Sequence, residues 1–413
     1  MTKLRSLMNQ IRTAAAGEGA PMDKLLFLLT LMLLAVGIVT VYDASYALAI
    51  EHKHGDSFYF VKLQAAWALI GLVMMVISRY IPYWKWKKLA IPGIMIATIL
   101  LMAVLVPHVG ITVGGARRWV GHGPFRVQPS ELAKIALVLY LARIGSVGPR
   151  VMRNFKYGLL PPLLVIAFLA GLIAKEPDLG TAMVLAGTGF VMLFLGGARS
   201  NHMVGVGAVA GLVLAIVAFS KTKSHHRLTS FLNPEADQYK SGYQVWHSLV
   251  ALGTGGVYGV GLGAGIEKLF IPMARTDFIF PVIAEEWGLI GTLALLVVFM
   301  LIAARGLAIA HGTKDPFGAL LAAGITVIIG IQSIINVAVA TSSIPDTGVP
   351  LPFISYGGSS LVLMMWGIGM LLNISCHPEG PETEEDDPTV VAPYEKDYNQ
   401  RWQKAPYLRY DNS

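Results

Sequence analysis

The chain has 413 residues, of which 54% are hydrophobic and only 14% charged, and its mean hydropathy is +0.60. Soluble domains carry about 25% charged residues, so this composition excludes a soluble globular protein and points to a polytopic membrane protein. The net charge of +7 implies no nucleic-acid partner, because Lys and Arg cluster in loops between apolar runs, and the single cysteine, Cys376, excludes an intramolecular disulfide and most cysteine-based metal sites.

Ten apolar segments approach spanning length, at 25–43, 60–78, 88–107, 130–146, 158–174, 181–198, 203–220, 281–304, 317–341 and 359–375. Residues 1–24 form a basic leading segment with Lys3, Arg5, Arg12 and Lys24. The apolar core after it is too long for a cleaved signal peptide, so it is expected to stay as an anchor. The fourth segment is interrupted by Glu131, Lys134 and Arg143 and is expected to face protein rather than lipid. Basic loops at Arg79, Lys85, Lys87 and Lys88, and at Arg150, Arg153 and Lys156, put both termini in the cytoplasm by the positive-inside rule. The connections 107–129, 221–280 and 342–358 then lie on the outer face. From 376 to 413 the chain changes character: "PEGPETEEDDP" is acidic and Pro-rich and is expected to be a disordered cytoplasmic tail. No internal repeat is legible, which gives no support to an inverted-repeat transporter.

The unusual polar residues fall in the outer connections. In "GGARRWVGHGPFRVQPSELAKI", three arginines break the charge bias, and "QPSELAK" reads as a helix start with Pro129 in the first turn, Ser130 as N-cap and Glu131 early. Arg118 and Trp119 suit a headgroup anchor, and a guanidinium equally suits bidentate binding of phosphate. In "AKEPDLGTA", Lys175, Glu176 and Asp178 suit an ion-pair network capping the next helix. The Gly-rich "SGYQVWHSLVALGTGGVYGVGLGAG" lacks the GKS/T of a phosphate loop, and glycines in membrane proteins often serve close packing. The stretch "ARTDFIFPVIAEEWG" sets Asp277 at the start of an apolar helix and Glu285 and Glu286 within it. Carboxylates at bilayer depth are costly and imply a partner or a task. Thr276 or Asp277 suits a helix cap; a partly desolvated Asp277 also suits a proton acceptor.

Four blocks occur in order: "GARRWVGHGPFRVQPSELAK", "EPDLGT", "RTDFIFPVIAEEWG" and "PDTGVPLPFISYGGSS". Together they resemble the SEDS family (shape, elongation, division and sporulation) of bacterial cell-wall polymerases, whose members include FtsW, RodA and SpoVE. The resemblance spans about residues 25–375, and "HRLTSFLNPEADQYKSGYQVWHSLVALGTGGVYGVGLG" with "LLNIS" is closer to the division and sporulation branch than to RodA.

The resemblance implies an all-α fold of ten transmembrane helices. It also implies a peptidoglycan glycosyltransferase that polymerises lipid II at the outer face of the bacterial cytoplasmic membrane, in septal wall synthesis. Asp277 then matches the family's essential aspartate, as general base and in contact with a divalent cation, Mg²⁺ or Mn²⁺. Arg118 and Lys134 match basic positions that hold pyrophosphate, with Glu131 organising them, and Arg275, Ser355 and Tyr356 join the substrate-binding set. The implied partners are a class B penicillin-binding protein and other division-complex membrane proteins. Met273, Arg275 and Asp43 depart from the family's pattern, since an acidic residue, His or Gln, and a small polar residue are commoner there. A lipid II flippase, with Glu285, Glu286, Lys134 and Gln332 along its path, and a non-catalytic scaffold are the alternatives.

Overall fold

In the computed structural model, the structure describes residues 20–52, 55–113, 116–123, 125–220, 231 and 242–381. The basic segment 1–19, most of the connection 221–241 and the acidic tail from 382 lie outside the described residues.

A helix occupies each of the ten predicted segments. They are α1 (Lys24–His52), α2 (Tyr59–Tyr80), α3 (Ala90–Leu105), α4 (Pro129–Gly145), α5 (Leu160–Lys175), α6 (Leu179–Leu195) and α7 (Ser200–Ser220), then α9 (Ile279–Gly312), α10 (Pro316–Ala340) and α11 (Gly358–Cys376). An additional helix, α8 (Tyr243–Gly255), lies in the connection before α9. Seven of the described helices are long and apolar enough to cross a membrane, and α6 is a shorter apolar one. Helices are the expected solution for such sequences, because a spanning segment must satisfy its backbone hydrogen bonds internally.

Helix α4 is the centre of the bundle. It packs against α3, α6 and α10, and most of its length is buried, as its interrupted apolar pattern predicts. Helix α7 is the opposite case, with Val204 73% exposed and Val209, Leu212 and Ile216 also outward. Helices α2 and α11 approach closely through small residues: a Cβ on Gly369 would lie 1.9 Å from Ser78 Oγ, whose hydroxyl donates to Trp366 O.

One end of the bundle gathers the loops around 80–89 and 312–316 with both described chain ends. There Arg305 clasps Asp23 at 2.7 Å, Tyr83 N donates to Asn373 Oδ1, and Lys314 N donates to Pro378 O. The other end carries all four signature blocks. Hydropathy alone did not reveal its small antiparallel sheet, β1 (Ile111–Val113), β2 (Ala116–His122) and β3 (Phe125–Val127), in the order β1-β2-β3. Arg117 faces Thr112 and Val120 faces Val127, so the sheet runs straight into α4.

The span predicted at 281–304 is two helical pieces joined at a kink. Gly288 has φ +66° and ψ −166°, a left-handed conformation that side chains disfavour. The freed backbone groups are taken up by the Gly-rich loop. Val260 N and Gly261 N donate to Glu285 O and Glu286 O, and Leu289 N and Ile290 N donate to Gly256 O and Val257 O. A Cβ on Gly259 would sit 2.1 Å from Glu286 O, so this glycine allows the loop to lie directly on the kink.

Candidate functional site

The chain descends to Asp277 through linked turns. Ile271 N donates to Glu267 O, Ala274 N to Ile271 O, and Thr276 N and Phe278 N to Met273 O, at 3.0–3.2 Å. Neither Thr276 nor Asp277 is the N-cap residue of α9. Phe278 occupies the N-cap of α9 with no side-chain cap, and the Thr276 hydroxyl turns back to Met273 O. The backbone around Asp277 is tethered by neighbouring elements. Asn336 Nδ2, from α10, donates to Asp277 O at 2.7 Å and to Val349 O at 2.8 Å. Ser355 Oγ donates to Thr276 O at 2.6 Å and accepts from Leu351 N, and Tyr356 N donates to Arg275 O at 2.8 Å. Gly348, at φ +70°, would place a Cβ 3.3 Å from Asp277 Oδ2, so the connection 341–357 passes right beside the carboxylate.

Arg275 is half-buried, with its guanidinium 4.4 Å from the Phe60 ring centroid and 6.0 Å from that of Tyr356. Burial pulls its pKa below the ordinary range, opposed by Tyr356, whose own phenol is pushed up by burial. Arg275 Nε is buried without a hydrogen bond, and no carboxylate among the described residues pairs with it.

Strand β2 delivers Arg118 to the turn between α5 and α6. Its Nε donates to Glu176 O at 3.2 Å, Nη2 donates to Pro177 O, and Nη1 lies 3.7 Å from Asp178 Oδ2. Asp178 caps α6, as predicted, by accepting from Thr181 N, and it also accepts from Gln128 Nε2 at 3.0 Å. Lys175 takes no part in the expected network and is exposed. Glu176 is 1% exposed, and neither of its carboxyl oxygens has a hydrogen-bond partner. Burial, and then the neighbouring Asp178 charge, push its pKa up to about 8 against the pull of Arg118. Burial raises Asp178 also, with Arg118 and Thr181 opposing. The N-cap of α4 is Gln128, not Ser130, because Pro129 takes the first helical position where its fixed φ fits.

A chain of polar contacts links Asp277 toward α4. Gln332 Nε2 donates to Pro350 O, and Lys134 Nζ donates to Gln332 Oε1 at 2.7 Å and pairs with Glu131 at 2.9 Å. Lys134 is 2% exposed, so the cation expected to grip pyrophosphate is already committed to two partners.

Glu285 and Glu286 face a different task. Glu285 accepts from Ile266 N at 2.8 Å and from Glu267 N at 3.1 Å, and Glu286 accepts from Gly265 N and Lys268 Nζ. Lys268 was missed in the sequence, where a lysine in a long loop reads as solvated. Its ammonium also reaches Asp43 of α1 at 2.5 Å, which accounts for an aspartate where a small polar residue is commoner. The four residues of the imagined flippase path therefore divide between two networks, one around Lys268 and one around Pro350. Among the described residues no three His, Cys, Asp or Glu side chains converge as a metal site.

Residues 23–379 match the family profile of cell cycle proteins that groups FtsW, RodA and SpoVE. The chain belongs to this FtsW/RodA/SpoVE family. It is 42% identical over 359 residues to the stage V sporulation protein E of Bacillus subtilis, covering 86% of this chain and 96% of that protein. It is 41% identical over 357 residues to the probable peptidoglycan glycosyltransferase FtsW of Trichlorobacter lovleyi, covering 86% and 93%. Among solved structures, it resembles a chain of a peptidoglycan synthase complex that coordinates polymerization and crosslinking, with TM-score 0.71, 32% identity, and 86% and 97% of the two chains covered. The rod shape determining protein RodA of Thermus thermophilus superposes with TM-score 0.65 at 29% identity, over 87% and 98%. Family membership and the apolar helices make the chain a multi-pass membrane protein.

Proposed function

We propose that the chain is a peptidoglycan glycosyltransferase that polymerises lipid II, with Asp277 as general base. The observation that carries this reading is the match of residues 23–379 to a family with members named as peptidoglycan glycosyltransferases, together with the tethers that Asn336 and Ser355 place on the Asp277 segment. The Asp277 carboxylate accepts the proton of the acceptor sugar's 4-hydroxyl as that oxygen attacks the donor's anomeric carbon. A carbon–oxygen bond forms between the two sugars, the bond from the anomeric carbon to the diphosphate breaks, and polyprenyl diphosphate leaves with the electron pair. Arg118 and Arg275 offer guanidinium groups to the departing diphosphate. Lys134, already held by Glu131 and Gln332, supports the Pro350 segment in this scheme, and Ser355 and Tyr356 hold the loop against which substrate lies.

A divalent cation remains part of the proposal in one form. Mg²⁺ commonly binds through one or two carboxylates plus substrate phosphates, and Asp277 would give the carboxylate oxygen. Such an ion would neutralise diphosphate charge. In this reading both termini are cytoplasmic, ten helices cross, and the Asp277 end faces outward at the septum. A class B penicillin-binding protein is the proposed partner, in keeping with the synthase complex that this chain resembles.

The test is polymerisation of lipid II by the purified chain in detergent. Glycan strands are expected, and a flippase, which needs two leaflets, would make none. A purified chain that binds its partner and yields no strands would favour the scaffold.

A further inference from the structure

The segment that delivers Asp277 is tied down at two places. The nearer tether is the pair Asn336 and Ser355, which bind the carbonyls of Asp277 and Thr276. The farther one is Lys268, at the top of the descent. Its buried ammonium donates to Asp43 Oδ1 at 2.5 Å and to Glu286 Oε1 at 2.6 Å, so a single cation joins α1, the outer loop and the first turns of α9. Glu285 adds a second grip by accepting from the amides just ahead of Lys268.

Such a buried ion pair is weak evidence for stability, because desolvation consumes most of the Coulomb gain; its best-attested use is to fix geometry. The geometry fixed here runs directly to the base. From Glu267 to Phe278 each turn is hydrogen-bonded to the one before it. Along the same run Ile271, Ala274 and Phe278 are buried in one apolar cluster with Val245, Val282 and Val339. The segment has little freedom to absorb a displacement at Lys268 before reaching Asp277.

We propose that Lys268 is a positioning residue for Asp277, with Asp43 and Glu286 as its two counter-charges. The proposal rests on the reading of Asp277 as general base. A misplacement of about 1 Å at a catalytic group can cost about 10²-fold in turnover. Arg275 rides on the same segment, so a looser segment also weakens its hold on the diphosphate; the fall in kcat reports Asp277, and a rise in KM reports Arg275.

The experiment uses the purified full chain with lipid II, measuring kcat and KM together with amide hydrogen exchange. Lys268→Met is expected to lower kcat by about 10²-fold, with a rise in KM smaller than that of Arg275→Met. Exchange should quicken over 270–278 while α10 stays protected. Asp43→Asn keeps the size of the side chain and the Lys268–Glu286 contact, so a smaller fall in kcat with the same exchange signature is expected; it carries the test alone should Lys268→Met fail to fold. Full turnover in folded Lys268→Met, a rise in KM alone, or lost turnover with unchanged exchange over 270–278 would each overturn the proposal. Asp277→Asn is run in parallel. If it is inactive while Lys268→Met is fully active, only the positioning role fails. If it is fully active, the reading of Asp277 as base fails, and the proposal falls with it.

Discussion

Arg275 and Arg118 serve the same proposed diphosphate from opposite surroundings. Arg275 lies against the rings of Phe60 and Tyr356 with no carboxylate paired to it among the described residues. Arg118 lies among acids, close to Asp178 and bonded to the backbone carbonyls of Glu176 and Pro177. A half-buried guanidinium without a counter-charge is completed by an anion from outside, whereas one already balanced must share its charge. The two sites therefore differ in how much of their positive charge reaches the substrate, and in whether pH can change that amount.

Of the two arginines, Arg275 should give the larger effect. Charge-assisted hydrogen bonds contribute about 1.5–3 kcal/mol, so Arg275→Met should raise KM for lipid II by about 10- to 10²-fold in steady-state polymerisation assays. An unchanged KM would reduce Arg275 to a ring-stacked structural residue. A smaller effect, about tenfold on turnover, is expected for Arg118→Lys, where charge survives and the bidentate fork does not. Equal turnover by the two proteins would leave Arg118 as a headgroup anchor.

The smallest effect is a pH dependence confined to Arg118. Glu176, pushed up to about 8 by burial, carries a proton below that pH and adds no charge beside the guanidinium. Above it, a second carboxylate competes with the substrate for Arg118, so KM should rise a few-fold as pH climbs through about 8. Glu176→Gln mimics the protonated form and should keep KM flat over the same range. Parallel rises in both proteins would assign the titration to another group.

Much of this arrangement was legible in the sequence, and the remainder fails to show for definite reasons. The ten helices follow from apolar runs, whose signal is local and long. The central position of α4 followed from Glu131, Lys134 and Arg143 interrupting such a run. The sheet β1–β3 did not show, since strands of three, seven and three residues carry too little alternation beside Gly and Arg. The Gly288 kink is completed by loop residues around 256–261, so hydropathy reads one straight span. Asp43 looked odd, but its partner Lys268 is far away in sequence and has the look of any loop lysine. The N-cap of α4 was misplaced because Ser130 is the better capping type, while the proline before it decides the register. Thr276 and Asp277 likewise had capping chemistry, yet the helix begins only after Phe278.

The claim that Asp277 is the base underlies both arginine roles and the positioning by Lys268. It is tested most directly by lipid II polymerisation with wild-type and Asp277→Asn chains, purified side by side and matched for thermal stability. The substitution keeps the size of the side chain and leaves the backbone carbonyl available to Asn336. Loss of a general base typically costs 10²–10⁴-fold, so a fall of about 10³-fold in the rate of strand formation is expected at unchanged stability. Strands formed at the wild-type rate by a well-folded Asp277→Asn chain would contradict the account.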